Sequence, residues 1–242
     1  MTPGIVDLWV YLSRSPLLWL TLTLLAYQAA TAIHRRTGGH PLANPVLIAV
    51  AILVLLLSAT GTDYETYFSG AQFVHFLLGP ATVALAIPLY THFNRVKAML
   101  VPIVAGLFAG SLAAIVSAVA VARWLGASLP TQLSLAPKSV TTPIAMGIAE
   151  RIGGIPSLTA VVVVMTGVLG AVCARPVFAA LKMHNPAIEG FAIGVAAHGI
   201  GTARAFQMSE QSGAFAALAM GLNGALTALL LPGIAVWLNS AG

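Results

Sequence analysis

The stretch 98–122, AMLVPIVAGLFAGSLAAIVSAVAVA, decides the fold class. It contains no Asp, Glu, Lys or Arg, and it exceeds the roughly 20 apolar residues that a membrane-spanning helix needs. Other uncharged stretches of sufficient length cover residues 15–34, 37–62, 66–94, 152–174 and 211–242. Two shorter, more polar stretches, 124–150 and 183–210, must also be placed. The sequence therefore predicts an all-α, polytopic membrane protein with about seven to eight membrane segments.

The composition excludes an ordinary water-soluble protein. Hydrophobic residues make up 59% of the 242 residues and charged residues only 7%, whereas soluble domains carry about 25% charged residues. The apolar runs are longer than the strands of a transmembrane β-barrel and do not alternate with polar residues as those strands do. No Ser-rich or charged linker interrupts the chain, so we expect one membrane domain over residues 1–242.

The positions of the basic residues predict the orientation of the early spans. Lys and Arg are enriched in short cytoplasmic loops, which places Arg35-Arg36 and Arg95 inside and residues 60–66 outside. We interpret residues 15–34 as a retained first span rather than a cleaved signal peptide. The formal charge of +5 comes from scattered residues, and no basic, aromatic-rich surface indicates nucleic-acid binding.

Proline interrupts two of the apolar segments. Residues 67–90 contain Gly79-Pro80 near their middle, and residues 129–150 contain Pro137 near theirs. Proline lacks the N–H group that a helix interior needs and clashes with the preceding turn. Backbone broken at membrane depth must be buried in protein or line a wet cavity. We therefore predict two Pro-broken or re-entrant helices, with breaks near Gly79-Pro80 and near Pro137.

The two broken segments also resemble each other. Residues 80–87 and 137–144 share proline, valine and isoleucine at matching positions, and Thr82 aligns with Ser139. Paired Pro-interrupted segments in two halves of a chain are typical of transporters with inverted repeats and a central binding site. Because the match is short, an inverted repeat and a chance similarity are both left open.

Lys138 is the first candidate for ligand binding. It follows Pro137, where a helix is expected to begin, and it precedes Ser139, Thr141 and Thr142. A charge inside a membrane usually faces a cavity or a partner, and the N–H groups at a helix start attract anions. Lysine, hydroxyls and free N–H groups together favour a carboxylate ligand. The alternative is a lysine that extends from a helix end to the interface.

A second group of candidates lies on a glycine-rich helix. His198 and Thr202 are four residues apart and share one helical face, while Gly199 and Gly201 leave room for a ligand. Histidine donates to a carboxylate or carries a coupling proton, because its pKa lies near neutrality. A histidine satisfied by a neighbouring helix is the equally supported alternative. Arg204 is expected either to bind a carboxylate bidentately or to be a loop charge.

Three further expectations concern packing and chemistry. The spacing of Gly190 and Gly194 predicts a close helix–helix contact. Cys173, the only cysteine, is expected to be a small buried residue without a disulfide partner. No His/Cys cluster has zinc-ligand spacing and no nucleophile or phosphate-binding motif occurs. We therefore expect no metal, no cofactor and no enzymatic activity.

Five motifs, in order along the chain, resemble the LrgB/CidB family of membrane proteins. They are LGPATVALAIPLY at 78–90, PKSVTTPIA at 137–145, GGIPSLTA at 153–160, AHGIGTA at 197–203 and ALAMGL at 217–222. The resemblance runs from about residue 40 to the C-terminus. The sequence departs from the pattern at Arg204, where many relatives have lysine.

The resemblance implies a bacterial inner-membrane protein that acts with a smaller LrgA/CidA-type membrane protein. Family members were first described as holin-like and antiholin-like regulators of murein hydrolase export and cell lysis. Related proteins move small carboxylates, namely pyruvate in bacteria and glycolate and glycerate in the plant chloroplast. Association of the chain into a homodimer and the identity of a coupling ion are left open.

We therefore expect a secondary transporter subunit for small monocarboxylates of the pyruvate, glycolate, glycerate or lactate class. The expected substrate-binding residues are Thr82, Lys138, Ser139, Thr141, Thr142, His198, Gly199, Gly201, Thr202 and Arg204. Two alternatives remain, a holin-like pore or its regulator, and a membrane scaffold for the partner that does not itself transport.

Overall fold

The fold is described from a computed structural model, which covers residues 15–38, 43–77 and 86–240 together with Pro80, Val83 and Ala84. All regular secondary structure in these residues is helical, which confirms the predicted all-α class. The chain divides into two compact units, Met1–Ala84 and Leu85–Gly242. The expectation of a single domain stays a prediction.

The described part of the first unit includes the helices α1 Pro16–Arg36, α2 Pro45–Thr60 and α3 Tyr64–Phe76. Small residues allow α1 and α2 to approach closely, since Ala26 and Ala30 pack against Ala49 and Leu53 in one buried cluster. On α3, Gly70 lies so close to α1 that an added Cβ would stand 2.7 Å from the Cβ of Trp19.

The ends of α2 and α3 are set by local chemistry. The side-chain oxygen of Asn44 accepts a hydrogen bond from the N–H of Val46 at the start of α2, as a helix N-cap does. Gly61 ends α2 in the left-handed conformation, with a φ of 62°, which glycine adopts without steric cost. Asp63 then accepts hydrogen bonds from the hydroxyl and the N–H of Thr66, and these bonds lower the pKa of its carboxyl group.

The second unit contains eight helices within the described residues. They are α4 Ala86–Thr91, α5 Phe93–Ala98, α6 Leu100–Trp124, α7 Leu129–Leu135, α8 Thr142–Ile152, α9 Pro156–Ala180, α10 Pro186–Met208 and α11 Glu210–Ser240. Four consecutive ones, α7 to α10, have proline in their first two positions. Proline suits these positions because the first N–H groups of a helix have no partner within it.

Four of the described helices, α1, α6, α9 and residues Glu210–Val236 of α11, are long and apolar enough to cross a membrane. Their outward faces carry large exposed apolar side chains such as Val101, Leu169 and Leu229, as contact with lipid requires. The predicted total of seven to eight membrane segments and the inverted repeat stay predictions, since residues 81–82 and 85 of the first repeat lie outside the described part.

The buried position expected for Cys173 is wrong, because its side chain is exposed on α9. Lipid tails are as apolar as a protein interior, so a small apolar residue gains little from being buried in a membrane protein. The break predicted near Gly79-Pro80 falls largely outside the described residues, although α3 already ends at Phe76.

The predicted break near Pro137 is present and is the tip of a re-entrant hairpin. The chain leaves helix α7 after Leu135 and re-enters helix α8 at Thr142. The chain turns back on itself at this break, since the hydroxyl of Ser134, near the end of α7, accepts a 2.7 Å hydrogen bond from the N–H of Ile155, which follows α8. Pro137 is fully buried in the tip, so the interrupted backbone is enclosed by protein, as the sequence argument required.

Helix α10 folds back on itself in its middle and forms a second hairpin. Its backbone turns at Ala197 and His198, where His198 has a φ of 42° and a ψ of −136°. Gly201 therefore lies against the preceding limb, and an added Cβ would stand 2.7 Å from the side chain of Ile193. Both ends of α10, Pro186 and Met208, line the same small cavity. We call residues 186–196 its first limb and 199–208 its second limb.

The first limb of α10 runs parallel to α11, and small residues allow the close approach. A Cβ added to Gly190 would stand 2.7 Å from the Cα of Ser212, and one added to Gly194 would stand 2.8 Å from the Cα of Ala216. The close contact predicted from the Gly190–Gly194 spacing is therefore confirmed. Helix α6 packs on the same pair, with Ile103 clustered near the start of the first limb.

Candidate functional site

The two hairpins enter the second unit from opposite ends of α6. The first hairpin turns back from the Trp124 end of α6, since Leu133 and Val140 pack in one cluster with Ile115. The second hairpin rises from the other end, where Ala187 packs against Ile103. Their tips therefore meet beside the middle of a helix long enough to span the membrane.

Asn223 of α11 joins the two tips. Its side-chain amide donates hydrogen bonds to the backbone carbonyl of Ser139 at 3.2 Å and to that of Val195 at 3.0 Å. Its carbonyl oxygen accepts a hydrogen bond from the hydroxyl of Ser111 on α6, and the hydroxyl of Thr227 lies 3.5 Å away. Asn223 is only 1% exposed, so one buried side chain connects both hairpins, α6 and α11.

A cavity of about 520 Å³ lies beside the joined tips, between α6 and the first limb of α10. Its wall is almost wholly apolar and includes Ile103, Phe191 and Val195. Among the described residues that line it, only Lys138 and Ser139 have polar side chains. Both lie at the tip of the first hairpin, opposite Gly110 and Ala114 in the middle of α6.

Lys138 and Ser139 form a polar end to this apolar cavity. Lys138 is half-buried, and no acidic side chain pairs with it among the residues that the structure describes. Ser139 is 6% exposed, and its hydroxyl is buried without a hydrogen-bond partner in the described part of the chain. A buried unpaired hydroxyl costs about 1–3 kcal/mol, so a group that accepts a hydrogen bond from Ser139 and neutralises Lys138 would stabilise this end of the cavity.

His198 forms the tip of the second hairpin, but its side chain contacts α9 and does not line this cavity. It is 3% exposed, and its Nε2–H donates to the backbone carbonyl of Val163 on α9 at 2.9 Å. The hydroxyl of Thr202 donates to the carbonyl of His198 itself at 2.8 Å. Both side chains therefore stabilise the turn of the second hairpin. A positive φ is uncommon for histidine, and strained backbone of this kind clusters at functional sites.

The other predicted site residues are spread over the second unit. Thr141 and Thr142 are half-buried at the start of α8. Gly199 and Gly201 follow the turn at His198, and Arg204 hydrogen-bonds Gln207 on the second limb. These five residues do not line the cavity that holds Lys138 and Ser139. Thr82 lies outside the described residues, and the binding roles of the whole set stay predictions.

Comparison with known proteins shows the family of the chain. The profile of the LrgB-like family matches residues 23–237. The chain belongs to the LrgB-like family. The motifs that carried the resemblance all lie within the matched residues.

Two relatives of this LrgB-like protein cover nearly its whole length. The "Uncharacterized protein YwbG" of Bacillus subtilis is 39% identical over 213 residues, which is 88% of this chain and 94% of the relative. The "Antiholin-like protein LrgB" of Bacillus mycoides is 29% identical over 220 residues, 91% of this chain and 96% of the relative. No solved structure gives a significant match.

The residue missed in this LrgB-like protein by sequence reasoning is Asn223. The available signal was an amide in the middle of a largely apolar span, since polar side chains in spans commonly hydrogen-bond to a neighbouring helix. Among the described residues no group of three or more His, Cys, Asp or Glu is arranged to hold a metal ion. The site chemistry is therefore that of a lysine, a hydroxyl and backbone carbonyls.

Proposed function

We propose that this LrgB-like protein is a secondary transporter subunit for small monocarboxylates of the pyruvate, glycolate, glycerate or lactate class. It acts in the bacterial inner membrane together with a small LrgA/CidA-like membrane protein. The observation that carries the proposal is Lys138, a cation at mid-membrane depth beside an unpaired buried hydroxyl. A carboxylate neutralises the first and accepts a hydrogen bond from the second.

The depth of Lys138 argues against the alternative of a lysine that reaches the interface. It lies opposite Gly110 and Ala114, near the middle of the 25-residue helix α6. Half of the hydrocarbon core is about 15 Å thick, which is far more than a four-carbon lysine stem covers. A charge held at this depth is expensive and is usually functional.

The opposed hairpins support a carrier rather than a pore. Broken helices that meet near the bilayer midplane are typical of secondary transporters, in which one unit moves against another around a fixed site. The cavity extends from the tips along α6 to Met99 at one end only of that helix. A site reached from one side at a time suits alternating access, whereas a pore requires a continuous path.

The basic residues of the second unit favour a cytoplasmic position for that open end. Arg95 hydrogen-bonds Asn185, and Arg175 lies close enough to Arg204 for their like charges to interact. Five basic residues therefore lie at the end where α6 begins, namely Arg95, Lys97, Arg175, Lys182 and Arg204. Arg123 and Arg151 lie at the other end. By the positive-inside rule, the cavity opens to the cytoplasm.

The alternative is a holin-like pore or its regulator, which the name of the Bacillus mycoides relative favours. A regulator of lysis has no use for a saturable carboxylate site, and a pore conducts without saturation. A carrier therefore depends on Lys138 and its uptake saturates with substrate concentration, whereas a pore does neither.

Substitution of Lys138 tests the proposal. Lys138→Met keeps most of the side-chain length and removes the charge, so we expect uptake of labelled pyruvate or glycolate to collapse at unchanged protein level in the membrane. Lys138→Arg should rescue only partly, because a planar guanidinium replaces a compact ammonium group. Uptake should be measured in cells that also express the LrgA-like partner.

Lys182→Met is the matched control, because it removes an exposed lysine at the turn between α9 and α10. It should leave uptake within about twofold of the wild type, as surface substitutions usually do. Normal affinity and rate in Lys138→Met would remove this lysine from the site and end the carboxylate proposal.

A further inference from the structure

We infer that the preferred substrate is a monocarboxylate with an apolar tail longer than that of a three-carbon acid, such as a 2-oxo acid with an aliphatic side chain. The inference rests on the proposed function and names the substrate class of the same site. Its carboxylate binds Lys138 and the hydroxyl of Ser139, and its tail lies along the groove between α6 and the first limb of α10.

The volume of the cavity exceeds what a three-carbon acid fills. The cavity has a volume of about 520 Å³. One water molecule occupies about 30 Å³ in the liquid, so at this volume per non-hydrogen atom the cavity holds roughly 17 such atoms. Pyruvate, lactate and glycerate have only about six or seven such atoms. A three-carbon acid bound at Lys138 therefore leaves more than half of the space to water or lipid, against walls that water does not wet well.

The chemistry of the wall selects against hydroxylated substrates. Beyond Lys138 and Ser139, the described lining consists of apolar side chains and glycine, and it includes the large side chains of Ile103, Phe191 and Phe215. A hydroxyl buried there without a partner costs about as much as a lost hydrogen bond or more. Glycerate carries its hydroxyls into this wall, whereas an alkyl chain gains from it.

The length of the groove sets the upper limit for the tail. It runs beside α6 from Gly110, at the level of Lys138, to Met99. The eleven steps from Met99 to Gly110 rise about 1.5 Å each, which gives a groove of roughly 16 Å. An extended chain of about ten carbons fits this length, so acids of five to about nine carbons bury their whole tail. The groove offers a positive charge at one end and an apolar wall along the rest. These features fit an acid with an apolar tail and do not fit a peptide or a sugar acid.

A competition series tests the inference. Uptake of labelled pyruvate, in cells that express this chain and its LrgA-like partner, is inhibited with pyruvate, 2-oxobutanoate, 2-oxopentanoate, 4-methyl-2-oxopentanoate and glycerate. Each buried methylene should tighten inhibition about 4-fold, the equivalent of about 0.8 kcal/mol. Across three added carbons the half-inhibitory concentration should fall roughly 60-fold, and glycerate should be the weakest inhibitor.

A groove-filling variant and its control separate this effect from non-specific membrane partitioning. Ala192 lines the groove, so Ala192→Leu fills the space of the tail and should abolish the gain with chain length, measured as the ratio of the half-inhibitory concentrations of 2-oxopentanoate and pyruvate. Ala113 is exposed on α6 and does not line the groove, so Ala113→Leu should keep the whole series intact.

The possible outcomes distinguish failure of the apolar-tail inference from failure of the proposed carboxylate transport. A flat or inverted series, or a gain that survives Ala192→Leu, overturns the apolar-tail inference while Lys138-dependent uptake still supports the carboxylate carrier. If Lys138→Met leaves the uptake of both short and long labelled acids unchanged, the proposed function is wrong, and the inference with it.

Discussion

Asn223 is expected to hold the two hairpin tips together, and its replacement tests how they are joined. Asn223→Leu has a similar size but removes both amide donors and the acceptor for Ser111. The carbonyls of Ser139 and Val195 then lose their bonds of 3.2 and 3.0 Å. Interhelical hydrogen bonds in membrane proteins average about 0.6 kcal/mol, with a maximum near 1.7, so three lost bonds give about 2 kcal/mol.

Orphaned buried carbonyls add to this cost, because an unsatisfied group costs about 1–3 kcal/mol. The total is therefore about 3–5 kcal/mol, which corresponds to a fall in melting temperature on the order of 10 °C for a chain of this size. The assay is thermal unfolding of the purified protein in detergent, followed by circular dichroism. Asn223→Asp should be at least as harmful, because its carboxylate oxygens face two carbonyl oxygens.

Thr227→Val is the matched control for Asn223. It removes only the hydroxyl that lies 3.5 Å from the Asn223 oxygen, a distance at which little bond energy remains. Its melting temperature should stay within about 2 °C of the wild type. An unchanged melting temperature in Asn223→Leu, or an equal loss in Thr227→Val, would refute the role assigned to the amide.

Two further predictions concern glycines at close contacts. Gly190→Leu and Gly194→Leu should each abolish the folded protein, because the new side chain overlaps the α11 backbone at Ser212 or Ala216. The measurement is the monodisperse fraction on size exclusion. Gly221→Ala, which meets no atom within 4 Å, is the tolerated control, and equal recovery of all three variants would contradict the packing. Gly167→Ala should lower transport more than it lowers the amount of protein in the membrane, because its Cβ would stand 2.7 Å from the His198 ring and displace the tip of the second hairpin. Gly147→Ala, with open space around it, should transport normally. Normal transport by Gly167→Ala would show that the position of this tip is unimportant.

Local chemistry explains which parts of this structure were predictable from sequence. Pro137 breaks a helix wherever it stands in the interior, and Gly190 and Gly194 are spaced for a close contact, so both features follow from the residues alone. Lys138 was identifiable because a charged side chain inside a membrane is energetically expensive and is usually functional. These signals need no knowledge of the neighbouring helices.

The remaining features depend on tertiary contacts. The fold-back at Ala197–His198 occurs at residues without a strong helix-breaking preference, and the hydrogen bonds of His198 and Thr202 stabilise it only once α9 is in place. The separation of Arg204 from Lys138 follows from the same fold-back, which a continuous helix would not give. Asn223 acquires its role only when both tips lie beside α11.

Counterflow distinguishes a Lys138-dependent carboxylate carrier from a pore in a single measurement. Proteoliposomes that hold this chain and its LrgA-like partner are loaded with unlabelled substrate acid and diluted into a trace of the labelled acid. A carrier exchanges the two, so the label should accumulate transiently above its external concentration, and Lys138→Met should abolish this accumulation while Lys182→Met preserves it. Label that only equilibrates, with a rate linear in concentration and unaffected by Lys138→Met, would contradict the carrier and identify a pore.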